Sequence, residues 1–349
     1  MRTAHSSGPS HALGKLAPPC YSHAMKTPTG IHHLTAIASD PQANVDFYAG
    51  LLGLRLVKKT VNFDDPSAYH LYYGDESGTP GSIVTFFYWP RGLGTQGRVG
   101  SGQTTRLSFS AAHESLPFWQ DRLSRQGVAA SRDLRFDEDV LRFTDPDGIP
   151  VEIVAVANDA RTGWVSEGIS RDFSLRGMHT AELTVATAGS TEKLIAHEMG
   201  YRVVRQLGNR TRFEAGRGGS GTYIDLIVDP DAPRGLGGVG TIHHIAWRID
   251  DDASQVEIQA HLHDAGYLVS GVRDRSYFHS IYYREPNGIL FEIATDSPGF
   301  ATDESVDTLG TSLRLPAQFE RARGKIELLL PPLQPAHVYA RSNPIPTRL

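Results

Sequence analysis

The amino-acid sequence predicts an α+β protein of four βαβββ modules, paired into two curved mixed sheets. Three observations carry this expectation. The chain has 349 residues, 40% of them hydrophobic and 21% charged, enough for roughly two domains with ample core. Four stretches repeat one order of elements: an alternating strand, an amphipathic helix ending near a glycine, then further strands. The first and fourth repeats open on the same strand, Ile-His-His.

The first module runs from Ile31 to about Trp89. IHHLTAIAS reads as a strand, and Asp40-Pro41 starts a helix with proline at its first position. Val45, Tyr48 and Leu52 form the helical stripe, and Gly53 ends it. RLVKKTVNF, YHLYYGD and SIVTFFYW follow as strands. The second module, Thr105 to Val156, has TRLSFSAA, a helix in ESLPFWQDRLSRQG and a closing FTDPDGIPVEIVA. The third, Gly177 to Val228, has MHTAELTVA, a helix through KLIAHEMG, then TRFEAG and GTYIDLIV. The fourth, Thr241 to Thr295, has IHHIAWRID, a helix through VEIQAHLHDAG and the strands of FHSIYYREPNGILFEIAT. Acidic residues near 250–257 suit the start of that helix.

Chain order suggests a disordered extension at 1–29 and an N-terminal domain of modules one and two at 30–157. A linker at 158–176 leads to a C-terminal domain of modules three and four at 177–297. The tail, 298–349, carries one helix in QFERARGKIELLL, expected to pack on the second half. Residues 1–29 lack the apolar run of a secretory signal, and Met25 just precedes the first patterned strand.

A net charge of −5 and a pI near 6.3 argue against a nucleic-acid binder. No apolar run reaches membrane-spanning length. Cys20, the single cysteine, cannot form an internal disulfide, which points to a reducing, cytoplasmic setting. A small-molecule partner is therefore expected, and a homo-oligomer is left open.

The 15 histidines direct attention to metal or proton chemistry. Strand side chains alternate faces, so one histidine of each pair should face a given cavity. The second lies in phase with the glutamate closing module four. His33, His244 and Glu292 thus form a two-histidine, one-carboxylate set, the ligand set of non-haem Fe(II) oxygenases. By symmetry a fourth ligand would fall at Thr85, a poor ligand, leaving the site open. Glu152 and Asp225 lack an in-register histidine and read as surface or network residues. His70 and His279 alternate with aromatics and either line a cavity or pack. GRGGSG (216–221) and GLGGVG (235–240) lack the context of phosphate-binding motifs and read as loops.

The stretch from Gly30 through SIVTFFYW, with GTIHHIAWRI, RDRSYFHSIYYREPNGILFEIATDSPGFATDE and GTSLRLPAQFE, resembles the ring-cleaving dioxygenases of the vicinal oxygen chelate superfamily, of the hydroquinone and extradiol type. The resemblance covers Gly30 to about Leu333. It implies the four-module fold, Fe(II) or alternatively Mn(II), and metal ligands at His33, His244 and Glu292. It also implies a catalytic group of His243, His32, Tyr282, Arg275 and Thr35, with a small aromatic substrate and O₂. His243, His32 and Tyr282 are the acid–base candidates, and Arg275 suits a phenolate or carboxylate charge. The rivals are a glyoxalase-like Zn²⁺ or Ni²⁺ isomerase or lyase, and a binding protein that sequesters a quinone or antibiotic without turnover.

Overall fold

The computed structural model describes residues 25–89 and 95–337. The strands are β1 (Gly30–Ala38), β2 (Arg55–Val61), β3 (Tyr69–Gly74), β4 (Ile83–Tyr88), β5 (Gln103–Ala112), β6 (Ser131–Arg135), β7 (Glu138–Thr144) and β8 (Pro150–Val156). They continue with β9 (Gly177–Val185), β10 (Arg202–Leu207), β11 (Arg210–Glu214), β12 (Tyr223–Val228), β13 (Ile242–Ile249), β14 (Arg273–Asp274), β15 (Phe278–Arg284) and β16 (Leu290–Pro298). The helices are α1 (Pro41–Val45), α2 (Leu116–Arg125), α3 (Gly189–Lys193), α4 (Asp252–Asp264) and α5 (Arg323–Leu329).

Local chemistry explains the module pattern. Asp40 caps α1 by accepting from the backbone N–H of Gln42 and Ala43, with Pro41 at the first helical position. The helix runs on in wider turns to Leu51, burying Val45, Tyr48 and Leu51, and Gly53 at φ +68° releases the chain. Asp251 caps α4 through the Ser254 N–H.

The two sheets are eight-stranded and mixed, as expected, but they do not follow chain order. One has the order β14-β15-β16-β13-β1-β4-β3-β2, joining module four to module one. The other, β10-β11-β12-β9-β5-β8-β7-β6, joins module three to module two. The expectation that chain-adjacent modules share a sheet is corrected, and side-chain chemistry supplies the reason. Modules two and three contribute opposite charges that meet inside their sheet. Between the modules Arg106 meets Glu182 at 3.3 Å, Arg135 meets Asp225 at 3.6 Å and Arg212 meets Glu138 at 2.7 Å, while within them Arg135 chelates Glu152 and Arg212 chelates Asp225. Arg210 bridges Glu182 and Asp225. Modules one and four bring histidine pairs and one carboxylate. Chain neighbours still pack through their helices. Arg122 of α2 donates to the Leu51 carbonyl at 2.7 Å, and Tyr48 donates to Asp145 at 3.1 Å. One hydrophobic cluster draws on all four modules.

Residues 25–29, expected to be disordered, are ordered. Thr29 N–H donates to Arg248 O, and Met25 packs against the core. Residues 1–24, Cys20 among them, lie outside the described residues. The tail contains its helix, yet it packs on module one rather than on the second half. Leu313 bridges Lys59, Tyr69 donates to Pro331 O, and Gln334 N–H donates to Gln42. The cause is the free edge of β2, which the tail covers. Lys58 of β2 is fully buried and pairs with Asp303 at 2.5 Å and Glu304 at 2.6 Å. Among the described residues no helix is long and apolar enough to cross a membrane.

Candidate metal centre

His33 of β1, His244 of β13 and Glu292 of β16 converge on the inner face of the first sheet. Their ligand atoms lie within 4.8 Å of one another, and all three residues are buried. Glu292 Oε2 is 2.9 Å from His244 Nε2 and 3.5 Å from His33 Nε2. That oxygen is buried without a well-aligned hydrogen bond, whereas Oε1 accepts from Ser280 Oγ. Three donors about 2.0–2.2 Å from one divalent ion would stand about 3 Å apart, so the cluster suits a metal. Burial would raise the Glu292 carboxyl, but His33 and His244 overcome it and hold the group well below its usual range. Burial likewise lowers His244, partly offset by Glu292. Thr85 is no ligand here, because its hydroxyl bonds Thr35 at 2.9 Å and His70 Nε2 at 2.8 Å.

Strict alternation would send His32 and His243 to the opposite face from His33 and His244. The register between β1 and β13 shifts between Ile31 and His33, and again between Thr35 and Ala36, so each His-His pair sits at a bulge. The bulges let consecutive rings meet: His32 Nδ1 is 2.9 Å from His33 Nδ1, and His243 Nδ1 is 2.8 Å from His244 Nδ1. The first pair has a fixed tautomer. His32 Nε2 faces the Thr295 carbonyl at 3.1 Å and must donate. Its Nδ1 therefore accepts from His33 Nδ1–H, leaving the His33 Nε2 lone pair facing Glu292. No carbonyl fixes the second pair in this way; a metal on His244 Nε2 would put the His244 proton on Nδ1, where His243 Nδ1 would accept it.

His32 is 2% exposed, does not line the cavity and is edged by Phe278 at 5.0 Å. Burial, then the neighbouring His33, hold its pKa well below 6.5. The sequence suggests an acid–base role for His32; the structure places it outside the cavity lining, with its two nitrogens against His33 and the Thr295 carbonyl. His243, by contrast, lines the cavity. Tyr282, Arg275 and Thr35 line it too. Arg275 Nε donates to the Tyr282 hydroxyl oxygen at 3.0 Å, which leaves the phenolic hydrogen free to turn elsewhere. Burial, and then Glu292, raise the Tyr282 pKa, so the phenol stays protonated at neutral pH.

The cavity encloses about 550 Å³, with His33, His244 and Glu292 at its floor and Phe87, Trp89 and Phe278 among its walls. Sequence reasoning left His70 open, and the structure puts it in this wall, with Tyr72 OH 3.0 Å from its Nδ1. His279, left open alongside it, instead pairs with Asp252 at the surface, 2.6 Å away. Phe278 and Ser280, which support His33 and Glu292, were not singled out. Their signal was present in β15, where Ser280, Tyr282 and Arg284 alternate on one face. Glu152 and Asp225 are network residues, both fully buried.

Residues 30–153 match the family model of the Glyoxalase/Bleomycin resistance protein/Dioxygenase superfamily. The chain is 44% identical over 309 residues to MhqO of Bacillus subtilis (strain 168), designated "Putative ring-cleaving dioxygenase". That alignment covers 88% of this chain and 98% of MhqO. The chain belongs to this superfamily. It is also 33% identical over 304 residues to the chlorohydroquinone/hydroquinone 1,2-dioxygenase of Sphingobium indicum, covering 85% of this chain and 94% of that enzyme. A crystal structure of a "putative dioxygenase" from Bacillus subtilis superposes with a TM-score of 0.86 at 44% identity, covering 90% of this chain and all of the other. Within this superfamily the two sheets are the expected architecture, and a metal-dependent centre is the expected use of such a cluster.

Proposed function

We propose that this chain is an Fe(II)-dependent dioxygenase that cleaves the ring of a hydroquinone- or catechol-type substrate with O₂, using His33, His244 and Glu292 as ligands. The observation that carries the reading is the buried cluster of two histidine nitrogens and an unbonded carboxylate oxygen at the floor of an aromatic-walled cavity. Likeness to a chlorohydroquinone/hydroquinone 1,2-dioxygenase supports the substrate class. Mn(II) suits the same donors.

Ferrous iron, when bound, supplies the one-electron chemistry that lets O₂ react with an ionised phenol. The residues of the chain do the rest. Phe87, Trp89 and Phe278 flank a planar ring and exclude water from it. The Tyr282 hydroxyl, with its oxygen held by Arg275, donates to a substrate oxygen. With metal on His244, His243 would present Nε2–H to the cavity, to stabilise a developing oxyanion or give up that proton. Thr35 is anchored by Thr85, which holds its hydroxyl at the cavity wall. Among the described residues no second carboxylate joins the three donors as a fourth, which disfavours a glyoxalase-like isomerase.

The test is anaerobic loading with Fe(II), Mn(II), Zn(II) or Ni(II), followed by oxygen-electrode assays with methylhydroquinone and catechol. Oxygen uptake and ring-opened product with Fe(II) are expected, and both should vanish in His33→Ala, His244→Ala and Glu292→Ala along with the metal. Lyase activity with Zn(II) or Ni(II) and no oxygen uptake would reject the reading.

A further inference from the structure

The trough that holds the candidate centre continues past it. Five strands carry the same inward face onward by one pleat. On β1, His33 and Thr35 lead to Ile37, and on β13, His244 leads back to Ile242. The β4 row passes from Phe87 to Trp89, and the β16 row from Glu292 to Leu290. On β15, Tyr282 leads to Arg284. Ile37, Ile242, Trp89, Leu290 and Arg284 line a second chamber of about 350 Å³. His243, Trp89 and Leu290 line both chambers. Two residues of strand span about 6.7 Å, so the second chamber begins within reach of a short side chain on a ring in the first.

Its lining has a defined charge. Arg234 and Arg284 face it, and no aspartate or glutamate does. Arg284 bonds only the Gly288 carbonyl, at 2.7 Å, and among the described residues neither guanidinium meets a carboxylate. This contrasts with the second sheet, where Arg106, Arg135, Arg210 and Arg212 are all paired. The Thr104 hydroxyl, also in the lining, is buried without a partner. The glycine-rich loop 235–240 forms one wall. A Cβ on Gly235 would stand 2.3 Å from Gln103 Cδ, so a side chain there would push the Gln103 side chain aside.

We propose that this second chamber is a carboxylate subsite, so that the preferred substrate is a hydroquinone or catechol carrying a short acidic arm. The proposal rests on the ring-cleavage reading for the position of the ring and on Arg234 and Arg284, neither of which meets a carboxylate among the described residues, for the arm. The ring lies over the candidate centre, and the arm passes His243 and ends between Arg284 and Arg234. Arg284 can offer a forked donor pair to a planar carboxylate.

The test is anaerobic calorimetry on the Fe(II)-loaded protein with methylhydroquinone and with 3-(2,5-dihydroxyphenyl)propionate. The wild type should bind the acid at least about tenfold more tightly, the scale of hydrogen bonds to a charged group. In Arg234→Met/Arg284→Met the ratio should fall to near one, with circular dichroism confirming the fold. A wild-type ratio near one, or a ratio the double variant retains, overturns the proposal. Weaker inhibition by the ring-opened acid in the double variant, with no preference for the acidic substrate in the wild type, would assign the chamber to product and likewise overturn it. Selective binding of the acid with no oxygen uptake on either compound would uphold the subsite and remove the ring-cleavage reading.

Discussion

Replacing His32 separates orientation from proton transfer. His32 touches no cavity space, and its two nitrogens are occupied by Thr295 O and His33 Nδ1. His32→Ala leaves the His33 Nδ1–H buried without an acceptor, which costs about 1–3 kcal/mol in the tautomer that binds metal. That converts to roughly 5- to 150-fold in affinity. Loss of outer partners of metal-bound histidines elsewhere weakens binding about 10–100-fold, which agrees. The expected result is a Kd for Fe(II) raised by one to two decades, measured anaerobically by competition with a chromophoric chelator. At saturating Fe(II), kcat should stay within about threefold of wild type, because no proton passes through His32. His32→Gln should recover part of the affinity, since its amide oxygen can accept from His33 and its NH₂ can donate to Thr295. An unchanged metal affinity together with a kcat lowered a hundredfold would refute the tautomer argument and restore His32 as an acid–base group.

Other outcomes follow from the same geometry. His243→Ala should retain iron and lower kcat by about 10²–10⁴, and Tyr282→Phe should act in the same direction more weakly, both read by oxygen consumption at equal iron content. Glu152→Ala should leave iron content unchanged but cost about 3–5 kcal/mol in urea unfolding, because Arg135 would be buried without its partner. Burial pushes the Asp145 carboxyl up to about 7, against hydrogen bonds from Ile149 N–H and Tyr48 that favour its charge. A raised folded value means stability present below the unfolded pKa of about 3.9 and lost as pH rises toward 7, with a slope of up to about 1.4 kcal/mol per pH unit. Asp145→Asn should therefore raise Tm relative to wild type at pH 8 and leave it level near pH 4.5. A Tm difference that does not change with pH would count against a buried, raised carboxyl.

Much of this was legible in the residues. Period-two and helical patterns located the modules because each strand and helix buries one face, and the repeated Ile-His-His with an in-phase glutamate located the cluster. What escaped has physical causes. Module pairing depends on side chains far apart in sequence: nothing near Glu152 says that Arg210 and Arg212 will share its sheet. The different surroundings of His32 and His243 were not legible because alternation fails at a bulge, and a bulge leaves no mark in a single strand's pattern. His70 and His279 look alike in sequence, each flanked by tyrosines or phenylalanine. Both strands lie one in from a sheet edge; the difference is the face, His70 turning to the cavity beside Thr85 and His279 to the surface beside Asp252. GLGGVG read as a loop and is one, yet its backbone walls a charged chamber.

The second sheet shows why only one of two equivalent troughs carries a candidate metal centre. Backbone registers align the two: Ala246 pairs with Glu292 as Ser108 pairs with Glu152, and Thr35 pairs with Thr85 as Glu182 pairs with Asp225. Two residues before those partners stand His244 and His33 in one sheet, and Arg106 and Thr180 in the other. Arg106 thus occupies a ligand's place, its Nε 3.5 Å from Glu152 Oε2. In the first trough no arginine among the described residues meets the carboxylate of Glu292, whose Oε2 is buried without a well-aligned hydrogen bond and which a divalent cation would satisfy. In the second, the carboxylates of Glu138, Glu152, Glu182 and Asp225 already meet the guanidiniums of Arg106, Arg135, Arg142, Arg210 and Arg212. A cation entering there would have to displace an arginine from a buried pair, at a cost of several kcal/mol per ion moved. The same skeleton thus serves binding where its charge is left incomplete, and cohesion where protein cations complete it.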